Sequence, residues 1–155
     1  PILSALLEAD CFDAVTVMVQ KEVAQRIAAA PGTGDYGAFS VFCQYYTEPE
    51  LLFAVPRECF EPQPKVTSAV LRAVVRREPP VEVEDEKFFF RVVCAAFVLR
   101  RKTLVNSLMT AFGSQLTKEQ VTQAVTSCGL EANIRGERLG LSEFAALSAE
   151  IAALL

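Results

Sequence analysis

The stretch TSAVLRAVVRREPPVEVED, Thr67 to Asp85, decides how this chain is built. Its first ten residues, through Arg76, are rich in small and β-branched side chains and read as a long strand. At Arg77 the character changes. Glu78-Pro79-Pro80 followed by Val81-Glu82-Val83-Glu84 reads as a rigid acidic linker, because consecutive prolines fix φ and remove backbone donors. Asp85 then offers a side-chain acceptor suited to starting a helix. Residues 1–77 are therefore expected to form one unit, 78–84 a linker and 85–155 a second unit.

Upstream of the linker two periodicities alternate. Ile2, Leu3, Ala5, Leu6 and Leu7 fit one buried helix face, although no capping residue precedes Pro1. Ala14 to Val19 (AVTVMV) is short and Val-rich and reads as a central strand. Gln20 to Ala30 reads as a helix stopped by Pro31-Gly32, Thr33 to Gly37 as a loop, and Ala38 to Tyr46 as a second helix. Leu51 to Val55 is a strand ended by Pro56, and Arg57 to Val66, with Pro62 and Pro64, is a stiff extended loop. Strands alternating with helices imply an α/β layered unit. Three strands with an open edge make a poor sheet by themselves, and the first helix starts uncapped, so the chain reads as part of a longer protein.

Downstream everything is helical. Phe88, Phe89, Val92, Val93, Ala96 and Phe97 line a helix capped by Asp85, and Leu104, Leu108, Ala111 and Phe112 line another that stops at Gly113. Thr117 and Gln120 form a capping box for a third, ending at Gly129; Ser142 is expected to cap the last.

Composition sets limits. With 155 residues, 52% hydrophobic and 22% charged, the chain is long enough to bury a core and too apolar to be disordered. The longest apolar run, Val92 to Leu99, is too short to span a bilayer, so no membrane association is expected. A count of 0 His removes Ser-His-Asp triads, Cys-His pairs and histidine-based zinc sites, and no metal is expected. The 5 Cys contain no CxxC pair and read as buried, reduced thiols of a cytoplasmic protein. Net charge is -4, so any nucleic-acid contact must come from a local cluster such as Arg100-Arg101-Lys102.

Two stretches carry candidate chemistry. In CFEPQPKVTS, Cys59 to Ser68, two prolines hold Phe60 on a stiff loop with Lys65 beside it. A rigidly held aromatic suits stacking on a planar base, since little freedom is lost on binding. Phe60 serves equally well as a loop anchor packed on the sheet, and both roles stay open at this point. Arg100, Arg101 and Lys102, read as entering a helix, suit phosphate contact or a solvated face. Gly32-Thr33-Gly34 follows a helix rather than a strand and reads as a turn.

The strings VMVQKEVAQRI (Val17 to Ile27), PGTGDYGAFSVFCQYY (Pro31 to Tyr46), FEPQPKVTSAV (Phe60 to Val70) and FVLRRKTLVNSL (Phe97 to Leu108) together resemble the ribosomal RNA adenine dimethyltransferase family. The resemblance runs to about Leu147 and is nearest the bacterial small-subunit branch linked to kasugamycin resistance. Erythromycin-type methylases share FxPxPKVxS but resemble the RRKTL stretch less well. The resemblance implies an α/β fold: the last three strands of a Rossmann-like S-adenosylmethionine methyltransferase sheet, in the order five, seven, six with seven antiparallel, followed by a small all-α domain. It implies dimethylation of N6 on two adjacent adenosines near the 3′ end of small-subunit ribosomal RNA, within a pre-30S particle. Phe60 would stack on the flipped adenine, and Lys65, Arg100, Arg101 and Lys102 would contact RNA. The family's glycine-rich motif, ribose-binding acid and NLPY motif are absent from this sequence, so no cofactor-binding or catalytic residue is assigned. S-adenosylmethionine is expected for the intact protein only. The strand at Ala14 to Val19 is expected to present an open edge to a missing N-terminal half or a second copy. A non-catalytic RNA-binding or ribosome-assembly module is the alternative reading.

Overall fold

The computed structural model describes Leu3, Ala5, Leu6 and residues 11–155. Leu3, Ala5 and Leu6 are helical; the rest of the expected first helix lies outside the described residues. Three strands form one sheet: β1 (Ala14–Gln20), β2 (Thr47–Val55) and β3 (Ser68–Val75), in the order β1-β3-β2. Both outer strands run antiparallel to β3, which is the order and direction that the family resemblance implies. Val17 faces Leu71, and Leu71 in turn faces Leu51. Leu52 interrupts the β2 register as a bulge before Phe53 pairs with Val70.

Helices α1 (Lys21–Ile27) and α2 (Ala38–Tyr46) accompany the sheet. The core they close with it contains Ala24, Ile27, Cys43, Ala69 and Leu71, with Val17, Val19, Phe39, Phe42 and Leu51 packed around. The carbonyls that end α1 are capped from α2. Gln44 Nε2 donates to Ile27 O at 3.0 Å and Ala29 O at 2.8 Å, and Ser40 Oγ donates to Arg26 O. Here α1 is shorter than the sequence suggests, because its last turn is held by side chains rather than by further helix.

β2 starts at Thr47, earlier than the expected Leu51. Arg76 pins its start, its Nε donating to Gln44 O and Thr47 O at 3.1 Å each while Nη1 meets Glu48 Oε1 at 2.8 Å. Pro49 is tolerated because β2 is an outer strand. β1 likewise has β3 as its partner on one side, and alternation of covered and exposed residues along it differs from the doubly buried strand its Val content suggests.

The other elements are α3 (Glu86–Phe97), α4 (Leu104–Phe112), α5 (Lys118–Ser127) and α6 (Leu141–Ala152). Asp85 Oδ1 accepts from Phe88 N at 3.0 Å, and Thr117 and Gln120 form the full capping box. Ser142 is not a cap. Gly140 precedes α6, and its N–H donates to Glu143 Oε2 at 3.0 Å. α3 packs on α4 and α6, and α5 on α4 and α6, so the helices close a ring. Phe89, Leu104, Leu108, Phe112, Leu139, Phe144, Leu147 and Ile151 are fully buried within it.

Two compact units result: one runs through Ala30 and resumes at Phe39–Pro80; the other joins Pro31–Ala38 to Val81–Leu155. Pro31–Ala38 is tied to the helical unit by Gly32 N to Glu137 O at 2.7 Å and Tyr36 Oη to Leu139 O at 2.9 Å. The expectation of buried thiols holds for Cys43 alone. Cys11, Cys59 and Cys94 are exposed and Cys128 is half-buried, since apolar neighbours in sequence do not fix which way a side chain points.

Candidate nucleic-acid interface

In the sheet unit the register aligns Gln20 and Val55 with Ser68, so the loop joining β2 to β3 crosses that end of the sheet. Its first turn, Arg57–Cys59, is closed by Cys59 N to Pro56 O at 3.1 Å and Phe60 N to Arg57 O at 3.3 Å. Phe60 follows in extended backbone, its side chain half-buried, and Lys65 is exposed. Gln63 Nε2 reaches back to Glu58 Oε1 at 3.4 Å, which holds the loop's middle to its start.

Beside this loop lies a groove of about 280 Å³, lined by Gln20, Lys21, Glu22, Gln25, Val66 and Thr67. Lys21 N donates to Thr67 O at 3.0 Å, joining α1 to the loop's end. Phe60 and Lys65 therefore share one loop, with the amides of Gln20 and Gln25 and the ammonium of Lys21 alongside its end. Sequence reasoning missed these three. The QKE string that opens α1 carried the signal, but its position beside Val66 follows only from the pairing of β1 with β3.

In the helical unit Arg100, Arg101 and Lys102 sit in the turn between α3 and α4 rather than on a helix. Lys102 N donates to Leu99 O at 2.8 Å, closing the turn around Arg100 and Arg101. Arg100 Nη2 donates to Gly34 O at 2.8 Å and Tyr36 O at 3.2 Å, so this guanidinium acts as a strut for the Pro31–Ala38 segment. Arg101 and Lys102 are exposed, with no ion pair among the described residues. Leu104 N donates to Ile134 O at 2.7 Å and brings the 131–138 segment to the start of α4. That segment carries Arg135 and Arg138 on a groove of about 350 Å³ that also includes Gly32, Asn133 and Glu137. Gly32 has φ +86°, and a Cβ there would lie 3.1 Å from Arg138 Nη1.

Two buried protons are held tightly. Burial pushes the Cys43 thiol up to about 12, and burial with the Glu143 charge pushes the Tyr36 phenol up to about 12. Neither group lines either of the two grooves described above. Among the described residues, no group of three or more His, Cys, Asp or Glu is gathered to hold a metal, and no helix is long and apolar enough to cross a membrane.

The described residues do not fit S-adenosylmethionine. Its ribose and methionine ends call for a strand, a glycine-rich loop and a helix start in sequence. Gly32 and Gly34 instead follow α1, and the Gly34 carbonyl is taken by Arg100.

The same fold occurs in solved methyltransferase structures. A dimethyladenosine transferase from Plasmodium falciparum superposes with TM-score 0.77 at 18% identity, over 99% of this chain and 62% of that one. The 23S rRNA methyltransferase ErmE does so with TM-score 0.65 at 25% identity, over 97% and 59%. The family model for ribosomal RNA adenine dimethylase matches residues 1–151, and the chain belongs to that family. Proteins named ribosomal RNA small subunit methyltransferase A are similar to it. That of Geobacillus kaustophilus is 48% identical over 154 residues, 99% of this chain and 53% of its own length. That of Streptococcus gordonii is 51% identical over 150 residues, 96% and 52%. The chain spans about half the length of the curated relatives it matches.

Proposed function

We propose that this chain is the RNA-docking half of a cytoplasmic dimethyltransferase acting on N6 of two adjacent adenosines near the 3′ end of small-subunit ribosomal RNA, within a pre-30S particle. The observation that carries the reading is the family match along almost the whole chain, which includes the loop holding Phe60 at the end of the sheet. A half-buried aromatic on a braced loop loses little freedom when a flipped base stacks on it. Lys65 stands on the same loop, where a phosphate flanking that base would be in reach of a flexible ammonium. Arg101 and Lys102 supply cations for phosphates that carry no base identity. Arg100 braces the turn, with its remaining donors open to RNA.

S-adenosylmethionine would be held by residues this chain does not contain. The sheet's second face supports that division of labour. Met18 and Phe53, both paired with Val70, are 54% and 57% exposed, an apolar row across all three strands. In the doubly wound sheet of the family helices cover both faces, so this face and the β1 edge would seat the rest of the methyltransferase domain.

The test uses the full-length protein and its ribosomal particle. Phe60→Ala is expected to lower turnover far more than particle binding, because the stacked base is extruded only on the way to reaction; stacking is worth about 1–3 kcal/mol per base. Unchanged turnover would make Phe60 a loop anchor. The 155-residue chain alone should show no binding of S-adenosylmethionine by calorimetry, and stoichiometric micromolar binding would overturn the division proposed.

A further inference from the structure

Val98 is 59% exposed and Leu99 is 37% exposed, on the same turn as Arg101 and Lys102. Covering two adjacent aliphatic side chains beside two cations that make no ion pair among the described residues would be favourable. The turn is not loose. Lys102 N and Ser107 Oγ both donate to Leu99 O, at 2.8 and 3.3 Å, Arg100 anchors it to Gly34 and Tyr36, and the next residues are fixed by Leu104 N to Ile134 O. Val98 ends α3 in helical geometry, with φ -59° and ψ -42°, its N–H donating to Ala95 O. The apolar pair therefore stands beside the cations in a fixed arrangement.

We infer that Val98 and Leu99 form an apolar wedge that packs against an unstacked nucleotide of the RNA whose phosphates Arg101 and Lys102 hold. The inference rests on the docking role proposed for the basic turn and adds what that turn recognises: a loop or bulge rather than a continuous duplex. Charge decides the class of partner. An apolar pair followed on the same turn by two exposed cations, which make no ion pair among the described residues, suits an anionic backbone whose bases offer flat apolar faces. In an intact duplex those faces are stacked on one another and a wedge must first part them, at a cost of a few kcal/mol per step, so a base that is already free is the better partner. Asp35, exposed and flanked by the two residues whose carbonyls Arg100 grips, is the acidic group of that segment.

The test compares an RNA hairpin with an unpaired loop against the same stem as a blunt duplex, using the 155-residue chain. Val98→Asn with Leu99→Gln should weaken hairpin binding by about tenfold, the scale of one apolar base contact, leaving duplex binding and the salt slope unchanged. Arg101→Ala with Lys102→Ala should weaken both and flatten the slope by up to about one unit per lost phosphate contact. In the unaltered chain, 2-aminopurine in the loop should brighten on binding as its neighbours unstack, a readout that needs no variant. Equal loss on both RNAs, no loss on either, or a silent fluorophore would overturn the wedge. So would an apolar double variant that changes only self-association in sedimentation, which would assign the patch to protein contact. An unchanged salt slope in the cation variant would instead overturn the docking reading beneath it.

Discussion

The helical unit and the sheet unit solve the same problem with opposite success. In the helical unit four helices close on one another and bury Phe89, Phe112 and Phe144 completely. Arg91 covers Phe112 from outside, its guanidinium carbon 4.7 Å from the ring centre. In the sheet unit the residues buried on β3 are Ala69, Leu71 and Ala73, and the helices cover one face, while Met18, Phe53 and Leu52 remain in water. A ring of amphipathic helices satisfies itself; a three-stranded sheet satisfies one face and two edges short of closure. The difference lies in how much apolar surface each unit leaves in water.

The largest expected effect lies in the helical unit. Phe144 is fully buried, its ring centre 5.9 Å from that of Phe97. Phe144→Ala should cost about 3–5 kcal/mol, the usual range for emptying an aromatic site in a closed core. Thermal or denaturant unfolding followed by circular dichroism reads it. A loss under about 1 kcal/mol would mean that the helical ring is looser than its burial indicates.

The same contrast governs what the sequence discloses. Local signals were enough wherever a residue acts on its own neighbours: Asp85, Thr117 with Gln120, and the stop after Phe112 are all where their side-chain chemistry demands. Ser142 misled because the helix starts one residue before it, at Leu141, which makes Gly140 the cap position. β2 extends back past the expected Leu51 to Thr47 because Pro49 is excused by outer-strand status, which is a property of the whole sheet. Val-rich β1 read as central for the same reason. Among the candidate residues, Phe60 and Lys65 are singled out by two prolines, whereas the placement of Lys21 and Gln25 beside their loop needs the β1–β3 register. Arg100 looked like its two neighbours; its role is set by carbonyls lying 66 and 64 residues upstream.

Alkaline pH should separate the units next. Cys43, in the sheet core, ionises near 9 when unfolded and is held up to about 12 by burial. Tyr36, in the helical unit, rises from 10 to about 12. A raised pKa on an acid means the folded state keeps its proton while the unfolded state releases one, so stability is intact below the unfolded pKa and falls as pH climbs toward the folded one. The sheet unit should therefore soften from about pH 9, by about 1.4 kcal/mol at pH 10, and the helical unit only above pH 10. Denaturant melts at pH 8, 9, 10 and 11 test this. Cys43→Ala should remove the early part of the slope, and Tyr36→Phe the later part. Equal slopes in both variants and the parent would show that neither proton governs alkaline unfolding.

The smallest effect on stability, and the sharpest test of the contrast, belongs to the uncovered sheet face. Met18 and Phe53 contact water in the chain as it stands, so Met18→Thr with Phe53→Thr removes little buried area and should shift unfolding by no more than about 0.5 kcal/mol. Threonine keeps the β-branched shape that strands favour, so the pairing with Val70 is preserved. What should change is association. An apolar row beside an open strand edge invites a second sheet, and sedimentation of the parent chain at rising concentration should show self-association that the double variant loses. Added as a separate polypeptide, the other half of a full-length relative should compete with self-association in the parent and bind the variant more weakly. If the variant is instead strongly destabilised, the face is already packed against part of this chain. If parent and variant both stay monomeric and neither binds the other half, the sheet unit is complete as it stands, and its exposed row has another purpose.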